Sequence, residues 1–117
     1  MRDHTKLRAF ELADALAMKI YTVTRAFPKE EQFGLTTQMR RAAVSVASNI
    51  VEGCARHTEA DYWHFLDIAY GSSGELQYQL TLAWKLNYVK EADYKAVHMQ
   101  CEEACKVLNG LLRALRR

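Results

Sequence analysis

Apolar residues recur at alternating steps of three and four along most of the chain, and its single proline, Pro28, breaks that pattern once. This spacing places the apolar side chains on one face of an α-helix. One proline and five glycines are too few turn residues for a many-stranded sandwich or barrel. The 117 residues suffice for a single domain, which we take to span positions 1–117. The sequence therefore predicts an all-α fold, an antiparallel up-and-down four-helix bundle.

Local signals suggest where each helix begins and ends. Pro28 ends the first helix because proline disfavours helical geometry in the residue before it. The hydroxyl of Thr36 can cap the second helix, and Thr58 with Asp61 resembles a capping box for the third. The predicted helices run from Thr5 to Ala26, from Thr36 to Gly53–His57, from Thr58 to Leu86, and from Lys90 almost to the C-terminus.

The second and third helices carry more apolar surface than one bundle core needs. Val44 and Val51 lie away from the main apolar row of the second helix, so we expect this helix to be buried on two sides or to lie in a subunit interface. Trp63, Tyr70 and Trp84 lie on one line of the third helix, with a spacing based on seven residues. That line indicates an exposed partner surface or a groove.

Residues 71–74, Gly-Ser-Ser-Gly, fall in the middle of the third helix. Glycine-rich segments can bind phosphate, but here the apolar spacing continues on both sides of the segment. We therefore interpret it as the close crossing of two helices.

The residues that could carry chemistry give no positive sign of an enzyme. Asp61 and His64 form a single Asp-x-x-His pair, whereas a di-iron bundle needs several such ligands. His98, Cys101 and Cys105 could share one side of the last helix, but Cys101 falls on the core row and no fourth ligand is evident. We therefore expect no metal, no cofactor and no catalytic residue set.

Charge is distributed unevenly along the chain. Residues 1–57 hold nine Lys/Arg and six Asp/Glu, whereas residues 58–117 hold seven and eight. Clustered arginines can contact nucleic-acid phosphates, although they can equally solvate helix ends or pair with Glu52 and Glu75. The candidate phosphate-binding residues are Arg40, Arg41, Arg56, Arg113, Arg116 and Arg117.

The sequence also indicates a compartment. Charges interrupt the N-terminal region, so we expect no secretory signal. The apolar, uncharged run from Ala42 to Val51 has about half the length of a membrane span. Three cysteines form no paired spacing that would suggest a disulfide framework. We expect a cytoplasmic protein with no membrane partner.

A long motif resembles one bacterial family. It comprises FPKEEQFGLTTQMRRAAVSVASNIVEG at positions 27–53, then Arg56, FLDIAYGSSGELQYQL at 65–80, and Leu86-Asn87-Tyr88. The chain is similar over about its whole length to the four-helix-bundle proteins named for intervening sequences of 23S ribosomal RNA genes. More distantly, it resembles the accessory proteins of diversity-generating retroelements.

The resemblance implies a homo-oligomer, with a ring of five subunits as the expected form, and no established catalytic activity. The distant relatives associate with nucleic acid and a reverse transcriptase. Asn49, Glu52 and Gly53 match the most recognisable part of the motif, either as structural residues or as ligand contacts. We therefore expect a non-enzymatic oligomeric scaffold that binds nucleic acid, with structured RNA as the expected class. The alternative is a module that docks a partner protein through the aromatic line.

Overall fold

Residues 2–115 are described by a computed structural model, and their regular secondary structure is entirely helical. Arg116 and Arg117, two of the candidate phosphate-binding residues, lie outside this range. Two short 3-10 turns, at His4–Lys6 and Lys29–Glu31, precede the first and second long helices. The long helices are α1 (Arg8–Thr24), α2 (Leu35–Cys54), α3 (Glu59–Lys85) and α4 (Glu91–Leu115).

Each helix packs against two others. Helix α1 contacts α2, α2 contacts α3, α3 contacts α4, and α4 contacts α1. Successive helices are antiparallel. Gly53 near the end of α2 lies against Tyr62 near the start of α3, whereas Ser45 earlier in α2 bonds to Ser72 later in α3. The bundle measures 43 × 24 × 20 Å, and these contacts confirm the predicted four-helix fold.

The start of α2 differs from the sequence-based prediction. Helix α2 begins at Leu35, and Gly34 rather than Thr36 is its N-cap residue. The Leu35 amide donates to Glu31 Oε1 at 3.0 Å, so a carboxylate from the preceding turn performs the capping role. A Cβ atom on residue 34 would lie only 2.7 Å from that oxygen, so a larger residue would displace the Glu31 carboxylate from its capping position. The hydrogen bond is the main cause of the lowered Glu31 pKa, with a smaller contribution from Tyr88.

The α3–α4 turn has a well-defined geometry. Asn87 has a positive φ of 65°, which asparagine tolerates better than most residues. The amide of Asn87 donates to Trp84 O and that of Tyr88 to Ala83 O, both at 2.9 Å. These two bonds form a Schellman motif that satisfies carbonyl groups at the end of α3.

The core divides into two clusters along the bundle. One cluster lies at the end that contains Pro28 and the α3–α4 turn, which we call the proline end, and it includes Leu16, Met39, Leu76 and Cys101. The other lies at the opposite end, which we call the terminal end, and it includes Ile50, Cys54, Leu66 and Leu108. Cys101 is fully buried, as its place on the apolar row predicted, and burial raises the pKa of its thiol to about 12.

Candidate functional site

Arg40, the first candidate phosphate-binding residue, is engaged within the fold. Its Nε donates to Thr24 Oγ1 at 2.9 Å and its Nη2 to Tyr21 O at 3.4 Å. Its guanidinium also lies 4.5 Å from the centre of the Tyr21 ring. Because these partners belong to the last turns of α1, Arg40 places a positive charge where the helix dipole is negative. Arg40 therefore fastens α2 to the end of α1.

Arg41, the next residue, is exposed and lies between two grooves. One groove runs between α1 and α2 beside Tyr21 and Val44, and the other runs between α2 and α3. None of the ion pairs among residues 2–115 includes Arg41. Its guanidinium therefore has hydrogen-bond donors available for a ligand.

Arg56 and Arg113 lie at the terminal end, far from Arg41. Arg56 forms an ion pair with Glu52 and lies 4.7 Å from the centre of the Phe65 ring. Arg113 is exposed in the last turn of α4. The thirteen positions from Arg41 to Cys54, the last residue of α2, correspond to about 20 Å of helix. The four candidate arginines within residues 2–115 therefore fall into two groups rather than one patch.

The three remaining motif residues make contacts within the fold. Asn49 Nδ2 donates to Ser45 O at 2.8 Å and lies 3.0 Å from Ser45 Oγ. Glu52 pairs with Arg56. A Cβ atom on Gly53 would lie 3.1–3.3 Å from Phe65 and Tyr62, so this glycine permits close contact between α2 and α3. Each of the three residues therefore has a partner within the chain.

The predicted aromatic line is largely incorporated into the contact between α3 and α4. Trp63 is half-buried, and its Nε1 donates to Leu112 O at 3.0 Å. Trp84 stacks on Tyr94 of α4 with ring centres 4.5 Å apart, although 37% of its surface stays exposed. Tyr70 is 39% exposed. Trp63 packs against α4 and also lines an open surface pocket with Glu59, Ala60 and Leu115.

Val44 and Val51 lie outside the core, as the apolar pattern of α2 predicted. They are 42% and 36% exposed, whereas Val46 and Ile50 on the inner side of the same helix are fully buried. Apolar character therefore extends around α2 beyond the surface that one chain covers.

The Gly-Ser-Ser-Gly segment does not mark a close crossing through its glycines. A Cβ atom on Gly71 or Gly74 would meet nothing within 4 Å among residues 2–115, so the glycines do not bring two helices together. The serines between them point toward neighbouring helices instead. Ser72 Oγ lies 2.8 Å from Ser45 Oγ of α2, and Ser73 Oγ lies 3.0 Å from Cys105 Sγ of α4.

The groove between α2 and α3 brings together polar groups that lie far apart in the sequence. We call it the serine groove, and it is lined by Gln38, Arg41, Ala42, Ser45, Ser72 and Glu75. Glu75 Oε2 accepts a hydrogen bond from Gln79 Nε2 at 3.1 Å, and Gln79 is only 4% exposed. The serines of both helices are visible in the sequence. The sequence alone does not show that Ser45 lies opposite Ser72, because that depends on the register of α2 against α3.

The residues considered for metal binding do not converge. His98 Nδ1 lies 3.2 Å from Glu102 Oε1, and its Nε2 lies 3.2 Å from Gln77 Nε2. Within the described part of the chain, no group of three or more His, Cys, Asp or Glu side chains is arranged to hold a metal ion. Over the same residues, no helix is long and apolar enough to cross a membrane.

The fold and its surface together define a small all-α bundle protein with shallow grooves between neighbouring helices. Residues 5–110 match the profile of the 23S rRNA-intervening sequence proteins, and the chain belongs to this family.

A solved structure supports the fold. It is the crystal structure of a protein of unknown function from the S23 ribosomal protein family of Bacteroides thetaiotaomicron. The match has a TM-score of 0.82 and 22% sequence identity, and covers 90% of this chain and 95% of the other. No curated protein matches the chain.

Proposed function

We propose that the chain is a non-enzymatic subunit of a homo-oligomer that binds nucleic acid through arginine surfaces repeated by symmetry. The observation that carries this proposal is Arg41, which is exposed beside two open grooves and belongs to none of the ion pairs among residues 2–115. The family name refers to 23S rRNA, so structured RNA is the first ligand class to test.

The uncovered apolar residues of α2 support the oligomeric part of the proposal. Val44 and Val51 lie on the outer side of a helix whose inner side already fills the core. Contact with a second copy would remove this apolar surface from water. A closed assembly, for which we propose a ring of five subunits, would repeat Arg41 and Arg113 around its axis and so extend the positive field of a chain whose formal charge is only +2.

Binding is tested by fluorescence anisotropy with a structured RNA over a series of salt concentrations. We expect affinity to fall as salt rises, because each phosphate contact releases counterions. Arg41→Ala should weaken binding and reduce the salt dependence. Arg25→Ala is the matched control, since Arg25 is also an exposed arginine of the proline end but lies outside both grooves. Absence of RNA binding even at low salt would refute the proposal.

Assembly is tested separately by light scattering and native mass measurement. We expect a multiple of the 13.4 kDa chain mass. The double variant Val44→Glu/Val51→Glu should keep its helical content and lose the assembly, because charges replace apolar surface outside the core. A wild-type protein that stays at 13.4 kDa at micromolar concentration would contradict the oligomer.

Docking of a partner protein is the second candidate function, and exposed portions of Tyr70 and Trp84 support it. Its support is narrower than the aromatic line suggested, because Trp63 bonds to α4 and Trp84 stacks on Tyr94. Tyr70→Ala provides the test, since it removes exposed aromatic surface from the third helix. Loss of a co-purifying protein with the assembly unchanged would favour docking over nucleic-acid binding.

A further inference from the structure

The serine groove carries opposite charges on its two walls. Arg41 lies on the α2 side and Glu75 on the α3 side, and the groove has a volume of about 500 Å³. The hydroxyls of Ser45 and Ser72 bond to each other between the two helices at 2.8 Å. Arg41 and Glu75 share the groove without forming an ion pair with each other.

Glu75 is held in place by a buried partner. Gln79 lies one turn further along α3, is almost fully buried, and donates its side-chain amide hydrogen to Glu75 Oε2. The other amide atom, Gln79 Oε1, is buried with no hydrogen-bond partner among the described residues. An unsatisfied buried acceptor is unfavourable. The Gln79 amide nevertheless bonds to Glu75 through its nitrogen while its oxygen stays unpaired within residues 2–115.

This pair of charges does not suit a phosphate alone. A carboxylate beside the arginine repels phosphate, so a site built only for the nucleic-acid backbone gains nothing from Glu75. The arrangement suits a ligand that presents hydrogen-bond acceptors and donors along one edge. Among the bases, guanine offers O6 and N7 as acceptors for arginine, and its N1–H and N2–H groups can donate to a carboxylate.

We propose that the serine groove binds the edge of an unpaired guanine in RNA, with Arg41 donating to O6 and Glu75 accepting from N1 and N2. The base must be unpaired because these groups are occupied in a duplex, and RNA loops expose them. The proposal rests on the proposed nucleic-acid function and adds the ligand group to it. The Arg41 guanidinium has enough donors to contact a phosphate as well as O6. Guanine then provides specificity, whereas phosphate contacts by Arg41 and the other exposed arginines provide affinity.

The wild-type protein tests the proposal directly, in anisotropy titrations with four RNA hairpins at fixed salt. The hairpins share one stem and an adenosine loop with guanosine, adenosine, cytidine or inosine at the central position, because unpaired uridines would offer a similar acceptor and donor through O4 and N3–H. We expect the guanosine loop to bind about tenfold more tightly than the adenosine or cytidine loop. Inosine should bind with intermediate affinity, because it lacks only the N2 amine.

Two variants then assign the preference to the groove. Glu75→Ala should remove most of the guanosine preference, because only the Arg41 contact to O6 remains, while leaving the affinity for the adenosine loop unchanged or higher, since a negative charge is lost. Glu30→Ala, an exposed acidic residue at the same end of the bundle, should keep the preference. Arg41→Ala should weaken binding of all four loops and weaken the guanosine loop most.

Each contrary result has a distinct meaning. Equal, salt-dependent binding of all four loops would overturn the guanine site and leave the proposed function in place. No binding of any loop would overturn both. A change of assembly mass in Glu75→Ala would show that the groove is a contact between copies of the chain, and would also overturn the guanine site.

Discussion

Helix α3 contacts α4 through two indole rings, whereas its contact with α2 includes a closely packed glycine and a pair of serines. On the α4 side, Trp63 bonds to a backbone carbonyl and Trp84 stacks on Tyr94. On the α2 side, Gly53 lies within contact distance of α3 and Ser45 bonds to Ser72. Large side chains fill the first contact, whereas short ones leave the serine groove open to solvent. A conspicuous aromatic residue can therefore serve mainly to pack one helix against another, while small residues border an accessible groove.

The largest predicted effect belongs to the α3–α4 contact. Trp63→Ala should lower the free energy of unfolding by about 3 kcal/mol, because it removes a half-buried indole and its hydrogen bond. Trp63→Phe should cost about 1 kcal/mol, mainly the lost bond to Leu112. Chemical denaturation measures both, with the exposed Tyr78→Ala as a control expected to change stability by less than about 0.5 kcal/mol. A small effect of Trp63→Ala would mean that α4 does not depend on this contact.

The α2–α3 contact should be sensitive to size instead. Gly53→Val should destabilise the protein by about 2 kcal/mol, because even a Cβ atom there lies 3.1 Å from Phe65 and 3.3 Å from Tyr62 O. Gly71→Ala is the matched control in α3, where a Cβ atom meets nothing within 4 Å. It should stabilise by up to about 1 kcal/mol through helix propensity. Thermal unfolding of the two variants compares these outcomes, and destabilisation by Gly71→Ala would show that another molecule covers this surface.

A smaller effect is expected from the hydroxyl pair between the same helices. Ser72→Ala should cost about 0.5–1 kcal/mol, since the bond to Ser45 is only partly shielded from solvent. Ser48→Ala, an exposed position on α2, should be neutral or slightly stabilising. Denaturant midpoints measured side by side separate the two. Equal midpoints would mean that the serines matter for the groove and not for stability.

The smallest effect concerns pH and the contact between the Lys29–Glu31 turn and the α3–α4 turn. Tyr88 from the α3–α4 turn donates to Glu31 Oε2 at 2.9 Å. The hydrogen bonds from Leu35 and Tyr88 lower the Glu31 pKa from its ordinary value of 4.5, so this stabilisation is present above pH 4.5 and is lost as pH falls through the folded-state pKa. The bond to Glu31 raises the pKa of Tyr88 above 10.0, so its contribution is present below that pH and is lost as pH rises through the raised value.

Glu31→Ala should therefore lower Tm between about pH 5 and 9 and have less effect outside that window. Glu30→Ala, in the same 3-10 turn, is the matched control and should show no such window. Melting curves across pH give the comparison, and a constant difference at all pH values would contradict the role of the Glu31 charge.

Helical periodicity predicted the four long helices because each core row repeats over many turns, as Val97, Cys101, Ala104 and Leu108 do in α4. Periodicity was less reliable for deciding which of two adjacent residues faces the core. Phe65 is only half-buried although it follows the buried Tyr62 by three positions, and its neighbour Leu66 is fully buried instead, because the rotation of the helix depends on its neighbours. The N-cap of α2 was missed for a related reason, since the capping group of Glu31 lies outside the helix.

The candidate site was less predictable than the fold. Arg41 was identified from its position beside Arg40, but sequence could not show that only one of the two arginines is engaged by α1. Glu75 was considered only as a partner for arginine, because its position opposite Arg41 requires the packing of α2 against α3. Side-chain direction and helix register decide these contacts, and both depend on tertiary structure.

Each end of the core contains one thiol that solvent does not reach. Cys54 belongs to the cluster at the terminal end and Cys101 to the cluster at the proline end. An alkylating reagent can modify either residue only after the surrounding helices separate, so the two labelling rates report the opening of the two halves independently. Cys105 is half-buried and provides a reference reaction in the same molecule. The natural sequence thus contains a built-in pair of unfolding probes, and mass spectrometry of a labelling time course can tell which end of the bundle opens first.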